Sequence, residues 1–271
     1  MPELPEVETT ARGIAPWTEG QRITGIVVRQ SSLRWPVPAT LAQTLKAQVI
    51  RKVSRRGKYL LLQTDKGHVL IHLGMSGSLR IVDSKETVRK HDHVDFCLAS
   101  KQTLRFHDPR RFGCVLWHSG DLGLHPLLAD LGPEPLAEEF SADYLFMRSR
   151  KRKVPIKQFI MDSHIVVGVG NIYANEALFM AGILPTRQAG SVSKKRFMLL
   201  VQAIKQVLAA AIVCGGTTLR DFVGGDGKPG YFKQQLHVYG RAEQECVKCG
   251  TSLIEIRQGQ RSTVYCARCQ S

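Results

Sequence analysis

The sequence predicts an α+β protein in three parts: an N-terminal antiparallel β-sandwich opened by a helix, a helical segment, and a four-cysteine hairpin. Three observations predict it. Between about Gln21 and Trp117 the chain runs in short stretches rich in β-branched residues and leucine, separated by turn residues. Past a proline-punctuated break, LGPEPLAEEF from Leu131 to Phe140, the apolar period lengthens to that of a helix. Near the end stand two Cys-x-x-Cys pairs with 16 residues between them.

Leu4, Val7, Ala11 and Ile14 recur at helical spacing, and Pro5 suits a first helical turn, so a helix opens the chain. RITGIVVRQ, KYLLLQT, HVLIHL, GSLRIV, VDFCLAS and LRFHD then read as strands, with turn chemistry such as Asp65-Lys66-Gly67 between them. Several short strands at this spacing make an antiparallel sandwich or barrel. NIYANEALFM reads as a helix stopped by Gly182. The longest helical pattern runs from Ser193, an N-cap, to Gly215-Gly216, with Phe197, Leu200, Val201, Ile204, Val207, Leu208, Ala211 and Ile212 as its apolar stripe. Val223 to Phe232, VGGDGKPGYF, has too much glycine to be rigid and reads as a mobile surface loop.

Among 271 residues, 38 Lys and Arg face 23 Asp and Glu, a formal net charge of +15. The excess is clustered at Arg51, Lys52, Arg55, Arg56 and Lys58, at Arg110-Arg111, and at Arg150 to Lys153 with Lys157. One such cluster is an ordinary solvated face; three, plus a basic hairpin, point to a surface that tracks phosphates. The partner expected is nucleic acid, with an anionic membrane second. No apolar run approaches the roughly 18 residues a membrane span needs. The acidic N-terminus lacks a signal peptide's basic start and apolar core, so an intracellular, soluble protein is expected. Seven cysteines in such a protein indicate metal or reduced thiols before disulfides.

Cys246, Cys249, Cys266 and Cys269 have the spacing of a zinc site, because a two-residue spacer lets one tight knuckle supply two thiolates of a tetrahedron. Such a closed set is structural and holds a segment too short for a core of its own. Between the knuckles, IEIRQGQRSTVY reads as a hairpin presenting Arg257 and Arg261. Cys97, Cys114 and Cys214, in apolar contexts, are read as core. His91 and His93 look like metal ligands, but paired histidines on one strand are commonly structural. GVGNIYANE places glycines ahead of a helix start, where free N–H groups bind phosphate.

The opening octapeptide, MPELPEVE, raises a chemical option. Loss of Met1 would leave Pro2 as a secondary amine, and an α-amino group titrates near pH ~8, far below lysine. At a helix N-terminus it would be pushed lower still. Such an amine attacks an aldehyde carbon to give an iminium ion, and Glu3 beside it can give and take protons. On these residues alone, a plain helix start with Glu3 and Glu6 serving its dipole is the simpler reading.

The ordered motifs PELPEVET, RRGKYLL, HLGMSGSLR, KHDHVDF, DPRRFG, LGPEPL, GVGNIYANEAL, GGTTLRDF, DGKPGYF, VYGR and QRSTVYC change that balance. From end to end they resemble the formamidopyrimidine-DNA glycosylase family. The endonuclease VIII branch typically has glycine where Leu4 stands, so the resemblance is to the oxidised-purine branch. It implies three domains: a catalytic sandwich over 1–131, a helix-two-turn-helix domain over 132–235, and a zinc finger over 236–271. It implies excision of 8-oxoguanine and formamidopyrimidines from duplex DNA through a Schiff base on Pro2, followed by β,δ-elimination. By the same resemblance Glu3 is the proton donor in base removal and Lys58 the proton donor in strand cleavage. Arg261 grips the phosphate and assists the δ step. Met75, Arg110 and Phe112 match the wedge that fills the hole left by an extruded nucleotide. His91, Arg110, Arg152 and Asn171 match DNA-contacting positions, although the RKRK run departs from the family's lysines. The loop Gly225 to Tyr231 would close over the flipped base. The resemblance further implies one structural Zn2+, duplex DNA with oxidised bases or abasic sites as partner, no membrane, a monomer, and a bacterial cytoplasmic location at the nucleoid. The alternatives are an oxidised-pyrimidine glycosylase of the same fold and a non-catalytic zinc protein that binds damaged DNA.

Overall fold

A computed structural model describes residues 2–216 and 235–271. The glycine-rich loop expected at Val223 to Phe232 lies outside the described residues. Backbone contacts divide the chain into two units: residues 1–129 with 214–231, and residues 130–213 with 232–271.

In the first unit, α1 (Leu4–Thr18) buries Leu4, Val7, Ala11 and Ile14, the stripe its spacing predicts. Then come β1 (Ile23–Val28), a short α2 (Leu41–Leu45), β2 (Ile50–Arg56), β3 (Tyr59–Thr64), β4 (Gly67–His72), β5 (Ser78–Asp83), β6 (Asp92–Leu98), β7 (Gln102–His107) and β8 (Cys114–His118). They make two antiparallel four-stranded sheets, ordered β1-β6-β7-β5 and β2-β3-β4-β8. Alternate residues of both sheets, among them Leu60, Leu62, Ile71, Phe96, Leu104 and Phe106, share one core with Val7 and Ile14 of α1.

Several clustered cations turn out to be used within the fold. Arg51 pairs with Asp65 at 2.6 Å and Arg55 with Glu8 at 2.7 Å. Arg105, 2 % exposed, pairs with Asp95 through Nε at 2.9 Å beside Asp92. Removal of Arg105 would leave Asp95 with Arg29 as its remaining partner, and the loss of a buried charge's partner is costly.

The second unit holds α3 (Ala142–Ser149), α4 (Ile156–Met161), α5 (Asn171–Met180), α6 (Lys194–Val213) and a hairpin of β9 (Ile254–Gln258) with β10 (Arg261–Tyr265). Ser141 caps α3 by accepting from the Tyr144 N–H at 3.1 Å. Turns at 181–182 and 185–186 and a 3₁₀ turn at Ala189–Ser191 join α5 to α6, and Gly182 in the first adopts φ +66, as a helix stop requires. By length and apolarity α6 meets the requirement for a membrane span, which a reading run by run does not anticipate. Its stripe is used in the unit's own core: Phe197, Leu200, Ile204 and Leu208 are buried.

Candidate active site and nucleic-acid interface

Pro2 and Glu3 lie buried at the mouth of α1. The fully buried Glu6 carboxylate accepts from the Glu3 backbone N–H at 2.8 Å, and the Glu3 side chain lies over the Glu6 N–H in a capping box. The residue after the candidate nucleophile is therefore fixed by contacts three residues away in sequence. Gly216, at φ +83, comes so near that an added Cβ would stand 3.1 Å from Glu6 Oε1. Through Glu8, the ion pair with Arg55 ties α1 to β2. That strand leads into the two-residue turn Gly57-Lys58, whose φ of +56 at Gly57 is the geometry a type II′ hairpin needs. Lys58 thus sits half-buried at a hairpin tip. Beside it, burial and then the charges of Lys58 and Arg34 push His72 down to about 4. His72 is neutral at pH 7, and its Nδ1 accepts from the Gly74 N–H at 2.9 Å.

The residues expected to form a wedge share one cleft. Met75, Arg110 and Phe112 line a cavity of about 760 Å³ together with Arg34, His72 and Arg111. Phe112 is 48 % exposed, which no core phenylalanine would be, and the Arg110 guanidinium lies 5.2 Å over its ring. The loop carrying them hangs on the buried Asp108, which accepts from Gly113 N–H at 2.8 Å and from Ser76 Oγ at 3.2 Å. His91 packs edge-on to His93 and His107 at 6.1 and 5.9 Å. His93 is structural, its Nε2 2.8 Å from the Asp108 carbonyl oxygen. Desolvation, then His107 and Lys90, hold His91 below the usual imidazole value.

In the second unit Asn171 is the first residue of α5. Its Oδ1 is buried with no hydrogen-bond partner among the described residues. The RKRK run divides by role. Arg150 is used internally, its guanidinium stacked 3.9 Å over Phe146 and donating to the Val192 carbonyl at 2.9 Å. Lys151, Arg152 and Lys153 are exposed.

Lys157 is buried, so it is no surface cation: its Nζ donates to Ser262 O at 2.8 Å and Thr263 Oγ1 at 2.7 Å on β10. Just before them, Arg261 follows the Gly259-Gln260 turn, where both residues have positive φ as a type I′ hairpin demands. Asn175 adds a second tie, accepting from Val264 N–H at 2.9 Å. Sequence reasoning missed this anchoring; a lysine and an asparagine inside apolar helical stretches were its signal. Lys157→Met strands two acceptors, that of Thr263 buried, at about 1–3 kcal/mol for a buried unsatisfied group. Duplex affinity is then expected to fall about tenfold, the equivalent of 1.4 kcal/mol. Unchanged affinity in a fluorescence-anisotropy titration would show that the hairpin holds itself.

The four tail cysteines bring their sulfurs within 4.8 Å of one another, with Cys246–Cys269 at 3.9 Å and Cys249–Cys266 at 3.5 Å. A tetrahedron of zinc–sulfur bonds about 2.3 Å long has edges of about 3.8 Å, so the set fits zinc. Hydrogen bonds from Thr251 lower Cys249 to about 6, whereas its thiol neighbours, Cys249 first, push Cys269 up to about 12. Four thiolates this close need a cation to coexist. With four protein ligands no position is open, so the zinc is structural. Its knuckles pack with Phe179, Val238, Leu253 and Val264. Glu176 in α5 pins the approach by accepting from the N–H groups of His237, Val238 and Tyr239 at 2.8–2.9 Å. No other metal-competent group of three occurs among the described residues.

Family models match along the chain: the formamidopyrimidine-DNA glycosylase N-terminal domain over residues 1–115, its H2TH domain over 131–223, and the zinc finger found in FPG and IleRS over 243–271. A formamidopyrimidine-DNA glycosylase of Marinobacter nauticus is 59 % identical over 270 residues, covering 100 % of both chains. The MutM (Fpg) protein of Thermus thermophilus superposes with a TM-score of 0.90 at 37 % identity, over 99 % of this chain and 98 % of that one. A Lactococcus lactis FPG mutant bound to Fapy-dG DNA gives 0.93 at 32 % identity, over 100 % of both chains. Complexes of the Lactococcus protein with abasic-site DNA and with oxidised-pyrimidine DNA are similar as well.

Proposed function

Because the chain belongs to the formamidopyrimidine-DNA glycosylase family, we propose that it is a base-excision-repair DNA glycosylase with AP lyase activity that removes oxidised purines from duplex DNA. The observation that carries this reading is the mouth of α1, where Pro2 and Glu3 are buried together and Glu6 fixes the backbone between them and the helix.

The Pro2 amine attacks C1′ of the damaged nucleotide. Glu3 protonates the departing base as the C1′–N bond breaks, and the C1′–O4′ bond then opens, O4′ taking a proton, to leave the iminium. The iminium acidifies C2′; as its proton is lost to solvent the C3′–O bond breaks and the 3′ phosphate leaves by β-elimination, with Lys58 as proton donor at its hairpin tip. Arg261 holds the second phosphate for the δ step. Extrusion of the nucleotide leaves a gap, which Met75, Arg110 and Phe112 fill, an apolar or planar filler being what lost stacking requires. His91, Arg152 and Asn171 hold the strands, Asn171 from a helix start whose N–H groups suit phosphate. Zn2+ on the four cysteines keeps the Arg261 hairpin folded. The enzyme works as a monomer in the bacterial cytoplasm, without a membrane partner. The Lactococcus complex favours oxidised pyrimidines as a second substrate class, and a paired comparison of lesion duplexes separates the two.

Glu3→Gln tests the assignment by step. The amine remains but the proton donor is lost, so excision of 8-oxoguanine is expected to fall at least a hundredfold, general acid catalysis being worth about 10²–10⁴. Nicking of a pre-formed abasic site should persist, since no base is left to protonate. Equal loss of both would give Glu3 a part in elimination.

A further inference from the structure

The cleft that holds the expected wedge has a further guanidinium, that of Arg34. Arg34 lines it beside Met75, Arg110 and Phe112. It is exposed, and among the described residues it has no carboxylate partner. No carboxylate lines the cleft either, while three arginines do. The positive charge there is uncompensated. Arg34 is also held in place. Its guanidinium carbon lies 4.7 Å over the Trp35 ring, and its backbone N–H donates to the Gly113 carbonyl at 3.1 Å. Gly113 is the residue that Asp108 fixes at the end of the wedge loop. The Arg34 segment and the loop of Arg110 and Phe112 are therefore tied together, and each carries a guanidinium over an aromatic ring. A cation held over a ring is restricted in advance, so less side-chain entropy is lost when it meets an anion.

We propose that Arg34, oriented by Trp35, grips a phosphodiester of the duplex beside the point where Met75, Arg110 and Phe112 enter it, and so seats the cleft on DNA. The proposal rests on the reading of those three residues as a wedge. Arg34 is a binding residue, and Trp35 is a positioning residue that acts through it.

The test uses the zinc-loaded full chain and a duplex carrying a tetrahydrofuran abasic analogue, with affinity measured against salt. Each phosphate contact contributes about 0.9 to the slope of log affinity on log salt. Arg34→Ala should lower the slope by about one contact and weaken binding about tenfold at low salt. Arg34→Lys should keep the slope but recover part of the affinity only. Lys66→Ala, at an exposed turn of the other end of the β3–β4 hairpin, should change neither. A neutral methylphosphonate walked along each strand should weaken the wild type at one linkage to which Arg34→Ala is indifferent. A wild-type slope in Arg34→Ala, or full additivity at every linkage, overturns the proposal. Met75→Ala and Arg110→Ala measured in parallel test the wedge itself. If they alter lesion binding while Arg34→Ala does not, only the proposal for Arg34 fails; if they too are silent, the wedge reading falls with it.

Discussion

With any residue left attached ahead of Pro2, excision and strand cleavage are both expected to vanish, while binding to a lesion duplex survives. The lone pair of an amide nitrogen is delocalised into its carbonyl and does not attack C1′, and the loss should reach several orders of magnitude because no other group replaces a covalent catalyst. Pro2 and Glu3 are buried at the start of α1, so a short uncleaved tag is best kept to one or two small residues. The same tag behind Ser271 should be harmless to the chemistry. With a free terminus, borohydride added during reaction should reduce the iminium and leave the protein joined covalently to DNA. Mass spectrometry of the digested adduct should place the link on Pro2. An adduct on Lys58, or full activity with the N-terminal tag in place, would identify a different nucleophile.

Removal of zinc should be nearly as damaging, through a different route. A lone two-stranded hairpin is marginal in water, and β9–β10 shares only a small cluster with Phe179, Val238 and Leu253 around the cysteines. Cys246→Ser leaves three thiols and an open side to the tetrahedron. Duplex affinity is expected to fall a hundredfold or more as Arg261 loses its support. The sandwich core, which includes none of the cysteine-tail residues, should keep most of its circular dichroism. Cooperative loss of the whole spectrum on zinc removal would mean that the metal supports more than its own hairpin.

How far the sequence discloses this protein depends on whether a residue's partner is near it in the chain. The α1 stripe, β3, β4 and the cysteine knuckles are legible because their logic is periodic or local. The basic run at Arg51–Lys58 hides β2, since its cations look solvated until Asp65 and Glu8 arrive from 14 and 47 residues away. Lys157 misleads in the same way, its acceptors lying 105 and 106 residues downstream. Met75 and Phe112 are core residues by type; the resemblance alone marks them as a wedge, and their place in a cleft is a tertiary matter. Arg34 carried no signal, because the pairing of its backbone with Gly113 is a tertiary event.

Glu3 stands at the cap of α1, where serine, threonine, aspartate or asparagine is the commoner choice, and it closes a capping box with Glu6. On the proposed mechanism the first turn serves the chemistry as well as the helix. On that mechanism a thermostable variant cannot be sought there without trading away turnover, since the carboxylates that begin the helix are those beside the proposed nucleophile. Heat tolerance has to be added on the far face, at exposed positions such as Trp17, where the helix has no chemical duty.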